Sequence, residues 1–184
     1  MAFGLAPDQF DTWILFARSV LGLESGESLE LADPFGLIRT SGVADAARHV
    51  RIVLNVSVSQ RTRTARQVSA TGRAGGGVQH IALSTADIVD TVTRLRANGV
   101  RFVPIPANYY DDLRDRLDLD EAWVRKLQSL DIVYDRAPGG GDYYHAYGEP
   151  FADRFFFEIV QRQPPYDAYG AANAPARMAA QAAG

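Results

Sequence analysis

Cysteine is absent from the 184-residue chain, which excludes a disulfide framework, a thiolate metal site and a thiol nucleophile. Any metal must therefore be held by imidazole and carboxylate groups. Histidine is scarce as well: the three are His49, His80 and His145. No apolar run approaches the roughly 20 residues that span a bilayer, and the N-terminus lacks a basic stretch leading into an apolar core. The expectation is a cytoplasmic protein with no membrane partner. Neither sign of charge dominates, the formal net charge being -3. Arg61, Arg63 and Arg66 sit in a Ser/Thr/Gly-rich stretch that reads as a solvated loop, so nucleic acid is not an expected partner. Gly75-Gly76-Gly77 precedes a strand rather than opening a helix, which removes the phosphate-cradle reading, and no Gly-x-Ser-x-Gly elbow occurs.

What is present is enough apolar sequence, 47% of residues, to bury one sizeable core, so residues 1–184 read as a single domain. Phe10, Trp13, Ile14, Ala17, Val20 and Leu21 recur at helical spacing over residues 8–21, with Gly22 placed to end the helix. Short strands follow over 28–31, 37–40 and 51–58. In the last, Ile52, Leu54, Val56 and Val58 face one side, and Arg51, Val53, Asn55, Ser57 and Ser59 the other. After a loop from about 60 to 76 the pattern restarts with a strand over 78–84 and a helix over 86–98, capped by Ser84 or Thr85 and closed by Gly99. A short strand over 102–105, helices over 109–117 and 121–130, and strands over 132–135, 143–147 and 155–162 complete the unit. A terminal helix over 175–182 has Asn173 or Ala174 at its cap. The order is that of a βαβββ unit repeated, with the first copy lacking its opening strand. The parts are module one (1–60), a loop (61–76), module two (77–162) and a C-terminal tail with a helix (163–184).

Glu158 lies in Phe155-Phe156-Phe157-Glu158-Ile159-Val160, where a carboxylate is costly to bury without compensation. A cation can compensate it, or a raised pKa, or a salt bridge to Arg154 or Arg162, of which Arg162 shares its face. His80 sits mid-strand, on the face of Val78, Ala82 and Ser84; it is a ligand or a packed core histidine. Together they make a fragment of a two-histidine, one-carboxylate site for ferrous iron or a similar cation. His145 shares a face with Tyr143 and Tyr147, and a hairpin would bring it near Glu158 as a third ligand, a substrate contact or an aromatic-flanked surface residue. His49, beside Arg48 and Arg51, is expected to face water.

Gly76 to Leu83, Tyr109 to Leu113, Phe156 to Arg162 and Tyr169 to Asn173 together resemble the C-terminal half of 4-hydroxyphenylpyruvate dioxygenases, of the vicinal oxygen chelate superfamily. That resemblance implies an α+β glyoxalase/dioxygenase-like fold, two βαβββ modules curled into a half-open barrel around a metal. It assigns His80 and Glu158 as metal ligands, with Fe(II) first and Mg(II), Mn(II) or Co(II) as alternatives. The family's other histidine would stand on the opening strand, of which Met1 to Gly4 looks like the tail. His145 takes what looks like a glutamine position, Asn55 and Ser57 stand for substrate contacts, and Tyr147, Tyr169 and Asn173 for further pocket walls. Ala174 and Met178 replace the aromatic clamp of the family's final helix. Tyr144 to Tyr147 and Asn173 to Ala179 are closer to bacterial fusions that join a sugar-isomerase-like barrel, a 3-dehydroshikimate dehydratase, to a dioxygenase-like domain. The implied function is a metal-binding accessory module of aromatic catabolism in such a fusion, weakly active or inactive alone. The alternatives are an active dioxygenase (an oxidoreductase) on an aromatic 2-oxo acid and a metal-free structural module. Implied partners are a small aromatic or 2-oxo acid, and either a fused or associated barrel domain or a second copy, since an absent opening strand would leave a sheet edge unpaired.

Overall fold

The computed structural model describes residues 1–70, 76–151 and 155–183. The chain divides into two compact units, Met1–Ile81 with Phe151–Phe155, and Ala82–Pro150 with Phe156–Gly184.

In the first unit the strands β1 (Ala2–Leu5), β2 (Glu24–Asp33), β3 (Gly36–Ala44) and β4 (Arg51–Val56) precede β5 (Gly77–Ser84), and they lie in the order β2-β3-β4-β1-β5. β1 runs parallel to β4 and antiparallel to β5. The opening strand expected to be missing is therefore present in short form. Its four residues carry no periodicity of their own, but hydrogen bonding on both sides holds them extended. The unpaired edge expected there does not exist. The edge strand of this unit is β2, which carries Glu24, Glu27, Glu30 and Asp33, acidic groups that discourage edge-to-edge pairing. Helix α1 (Phe10–Ser19) buries Phe10 and Ala17, and its Trp13 stacks on Phe3 of β1 at 5.7 Å. Phe3, Leu5, Ile52, Leu54 and Val56 all pack with α1 side chains in one cluster.

Three expectations for this unit need correction. The loop over 61–76 contains a helix, α2 (Arg63–Ala70); Thr62 caps it through Oγ1, which accepts from Ala65 N at 3.2 Å. Its sequence is polar enough to read as loop, and burial of Thr64 and Ala65 holds it. Val58 is 82% exposed while Ser57 is buried. The strand stops at Val56, and Ser57 turns in to donate to the Leu37 carbonyl at 2.8 Å.

The pairing of β1 with β5 also departs from strict alternation, at His80. Ala2 pairs with His80 but Phe3 pairs with Val78, so one step along β1 matches two along β5. Gln79 is the extra residue of a β-bulge. Because Ala2 and Phe3 point to opposite faces, so do His80 and Val78, against the strict alternation that put them together. His80 joins the face of Ala2, Gly4, Val53 and Asn55, away from α1.

The second unit holds β6 (Val133–Arg136), β7 (Asp142–Tyr147) and β8 (Phe156–Arg162), antiparallel in the order β8-β7-β6. Around them lie α3 (Ile88–Ala97), α4 (Ala107–Arg116), α5 (Glu121–Ser129) and α6 (Ala174–Ala183). Asp87, not Ser84 or Thr85, caps α3, accepting from Asp90 N at 2.9 Å. Residues 102–105 form no strand but only an isolated bridge from Phe102 to Gly148. Pro104 and Pro106 lack the N–H groups a ladder needs, and Asp131 accepts the N–H of Ile105 at 2.8 Å instead. The core joins Ile88, Val92, Tyr110, Leu113, Val124 and Leu127 of the helices to Val133, Ala146 and Ile159 of the strands.

Candidate functional site

Strand β8 forms because Phe156, Ile159 and Val160 have apolar neighbours to meet, and this carries Glu158 into the interior at 5% exposure. Register sets Tyr147 opposite Glu158 and His145 opposite Val160. Tyr143, His145, Tyr147, Glu158 and Arg162 thus share one face. His145 Nδ1 lies 2.6 Å from Glu158 Oε1 and 2.9 Å from the Tyr147 hydroxyl. Asn173, on the turn before α6, presents Nδ2 to His145 Nε2 at 2.9 Å and donates from the same nitrogen to the Tyr134 carbonyl at 3.0 Å. The Tyr109 hydroxyl lies 2.9 Å from Asn173 Oδ1 and accepts the N–H of Tyr134 at 2.8 Å.

Burial raises the hydroxyls of Tyr143 and Tyr147 well above the ordinary tyrosine range, and the Glu158 carboxylate raises both further. Burial does the same for Tyr109. These phenols stay protonated, so they act as hydrogen-bonding walls rather than bases. Gly170 lets the chain pass against the ring edges: with φ +66°, a Cβ there would stand 2.6 Å from Tyr143 Cε1 and 3.0 Å from His145 Cε1.

Four of the expected site residues, Glu158, His145, Tyr147 and Asn173, are thus brought together in the second unit. Arg162, weighed as a salt-bridge partner for Glu158, lies over the Tyr143 ring at 4.6 Å; Arg154 lies outside the described residues. Tyr169 is half-buried on the segment before Gly170, and Ala174 and Met178 are buried. In the first unit, Asn55 donates to Gln79 Oε1 at 2.8 Å, and Gln79 Nε2 donates to Thr64 Oγ1 at 3.0 Å and Gln67 Oε1 at 3.1 Å. This amide network tethers the bulge that aims half-buried His80. Ser57 is turned to the β3 backbone rather than to Asn55, and His49 is exposed. Among the described residues no group of three or more His, Cys, Asp or Glu side chains is gathered tightly enough to hold a metal, and no helix is long and apolar enough to cross a membrane. Sequence reasoning missed Gln79 and Tyr109 as site residues. The first stood beside His80, and the second in a Tyr-Tyr pair whose polar ends needed buried partners.

The sequence profile of the glyoxalase/bleomycin resistance protein/dioxygenase superfamily matches residues 2–125. The chain belongs to this superfamily. It is 41% identical over 182 residues to a 3-dehydroshikimate dehydratase of Pseudomonas aeruginosa, a match that covers 99% of this chain and 28% of that protein. It is 31% identical over 157 residues to a 4-hydroxyphenylpyruvate dioxygenase of Neurospora crassa, covering 81% of the chain and 38% of the relative. A solved xylose isomerase-like TIM barrel/4-hydroxyphenylpyruvate dioxygenase fusion protein superposes with a TM-score of 0.80 at 37% identity, over 100% of this chain and 28% of that one. The chain thus spans well under half the length of these relatives. The superfamily's α+β vicinal oxygen chelate fold is the fold of this chain, and the chain is a 4-hydroxyphenylpyruvate dioxygenase-like domain related to the dehydratase fusions.

Proposed function

We propose that this chain is a divalent-cation-binding, dioxygenase-like module that accompanies a barrel-borne dehydratase in a longer protein, and that it is not itself a working dioxygenase. The observation that carries the reading is the buried, imidazole-bonded carboxylate of Glu158 in a domain matched over 99% of its length by a dehydratase. A carboxylate placed so deeply is expensive unless a cation or strong donors compensate it. Glu158 supplies an anionic oxygen donor of the kind that suits Fe(II), Mn(II) or Co(II). Water or a residue of the longer protein would fill the remaining positions. A cation bound there would supply Lewis-acid polarisation of a chelating 2-oxo acid or related ligand. The chain's own part is to hold the carboxylate, wall the site with Tyr143 and Tyr147, and exclude water. Buried Ala174 and Met178 where the related enzymes are expected to carry an aromatic clamp argue against ring chemistry on 4-hydroxyphenylpyruvate.

Metal analysis after dialysis against Mn(II) or Co(II) tests the reading. The wild-type chain should retain about one equivalent, and Glu158→Gln should retain essentially none. Equal retention by both removes Glu158 from the site. Steady oxygen uptake with Fe(II) and 4-hydroxyphenylpyruvate would instead make the chain a dioxygenase.

A further inference from the structure

Glu158 stands against Nδ1 of His145 and Asn173 against Nε2, with the Tyr147 hydroxyl 2.9 Å from the first nitrogen and 3.5 Å from the second; the polarity of Asn173 is set from outside. Asn173 Nδ2 lies 3.0 Å from the backbone carbonyl of Tyr134, which can only accept. The opposite amide orientation would set two oxygens against each other. The nitrogen of the amide is therefore the atom that meets His145 Nε2, and it meets it as a donor. Nε2 must accept, so the single ring proton sits on Nδ1. From there it is donated to Glu158 Oε1 at 2.6 Å, the nearer of its two neighbours, with the Tyr147 oxygen at 2.9 Å. At 2% and 1% exposure, His145 and Asn173 have little access to water that could substitute for these bonds.

We propose that Asn173, itself held by Tyr109, is a positioning residue that locks His145 as the neutral ring protonated on Nδ1, and that His145 is the orienting donor to Glu158 rather than a metal ligand. The lock stands on hydrogen-bond geometry alone; only its consequence for a cation rests on the metal-binding reading above. With Nε2 occupied by an amide proton and Nδ1 by its own, His145 has no lone pair to offer a cation. What it offers is a fixed carboxylate. Groups that orient a ligand in this way are commonly worth 10–100-fold in metal affinity.

The closing experiment has two readouts. Long-range proton–nitrogen correlation spectra of the metal-free, 15N-histidine-labelled chain, taken above the ordinary imidazole pKa, report which nitrogen carries the proton; His145→Gln assigns the signal among the three histidines. The wild type should show a protonated Nδ1 and an unprotonated Nε2. Asn173→Asp, which replaces the amide donor with an acceptor oxygen, should bring a proton to Nε2. A wild-type ring protonated on Nε2, or a ring unchanged in Asn173→Asp, overturns the lock. Co(II) titration is the second readout. His145→Gln, which keeps an N–H for Glu158, should bind within about threefold of wild type, and His145→Ala about tenfold or more weaker. Equal, large losses in both would make His145 a ligand and overturn the proposal. A wild-type chain that binds no Co(II) would overturn the metal reading, while the ring tautomer still decides the lock.

Discussion

At Gly170 the backbone lies so close to Tyr143 and His145 that a methyl group would overlap the tyrosine ring, and its φ of +66° is one that side chains with a Cβ resist. Gly170→Ala must push the segment outward, and with it Asn173 three residues on. The expected cost is about 1–3 kcal/mol of stability, the range for overpacking a core, measurable by urea denaturation. It should be accompanied by a shift of the His145 ring signals; a variant as stable as wild type with unchanged signals would show that the contact is not tight in solution. Glu158 shows the same economy from the other side. One buried carboxylate takes its direction from a ring that takes its own from an amide, so an apolar replacement of Tyr109, Asn173, His145 or Glu158 leaves a buried polar atom unmatched.

The β-bulge in β5 is what turns His80 to the face of Ala2 and Asn55, and Gln79 is the residue that holds it. Its side chain ties β4 to α2 with three hydrogen bonds. Gln79→Ala would remove the bonds to Asn55, Thr64 and Gln67. The expected loss is about 1–3 kcal/mol, since buried groups without partners carry their desolvation cost. The loss should be local: hydrogen exchange should quicken in α2 and β5 more than in β6 to β8. Uniform acceleration through both units would mean that the bulge is not an independent feature. α2, which these bonds and the Thr62 cap help to hold, should respond directly to this change. In the second unit, Asp131 plays the corresponding part for the proline-broken segment, accepting from Ile105 N and pairing with Arg96 at 2.6 Å.

Over the whole molecule, buried phenols govern how stability responds to alkali. Burial raises Tyr109, Tyr110, Tyr143, Tyr147 and Tyr166 above the ordinary value, reinforced at Tyr143 and Tyr147 by Glu158 and at Tyr166 by its hydrogen bond to Asp135. For a group whose folded pKa is raised, the unfolded chain loses its proton first. Its contribution is therefore fully present below the unfolded value, near 10, and is lost as pH rises beyond it. The melting temperature should thus fall steeply above about pH 10, and most tyrosinate absorbance should appear together with unfolding. Smooth ionisation of all eight tyrosines in a chain that stays folded would contradict this.

Much of the architecture was legible from order and periodicity, because helices α1, α3, α4 and α5 and strands β3 to β8 each carry a local apolar pattern. The carboxylate at 158 was legible too, as a charge embedded in an apolar strand, and the shared face of Tyr143, His145 and Tyr147 followed from alternation. Other features depended on partners far along the chain. β1 is a strand because β4 and β5 flank it, and the bulge at Gln79 exists only in that pairing. α2 needed its capping threonine and the amide network to be distinguished from loop. Asn173, marked by the sequence as a cap or a pocket wall, reaches across 28 residues to His145, and Tyr109 across 64 to Asn173. The sequence by itself determined which groups must be buried, since burial follows from local pattern and transfer cost. Only the tertiary structure decided which groups they meet, because hydrogen-bond partners are chosen by three-dimensional proximity and not by neighbourhood in the chain.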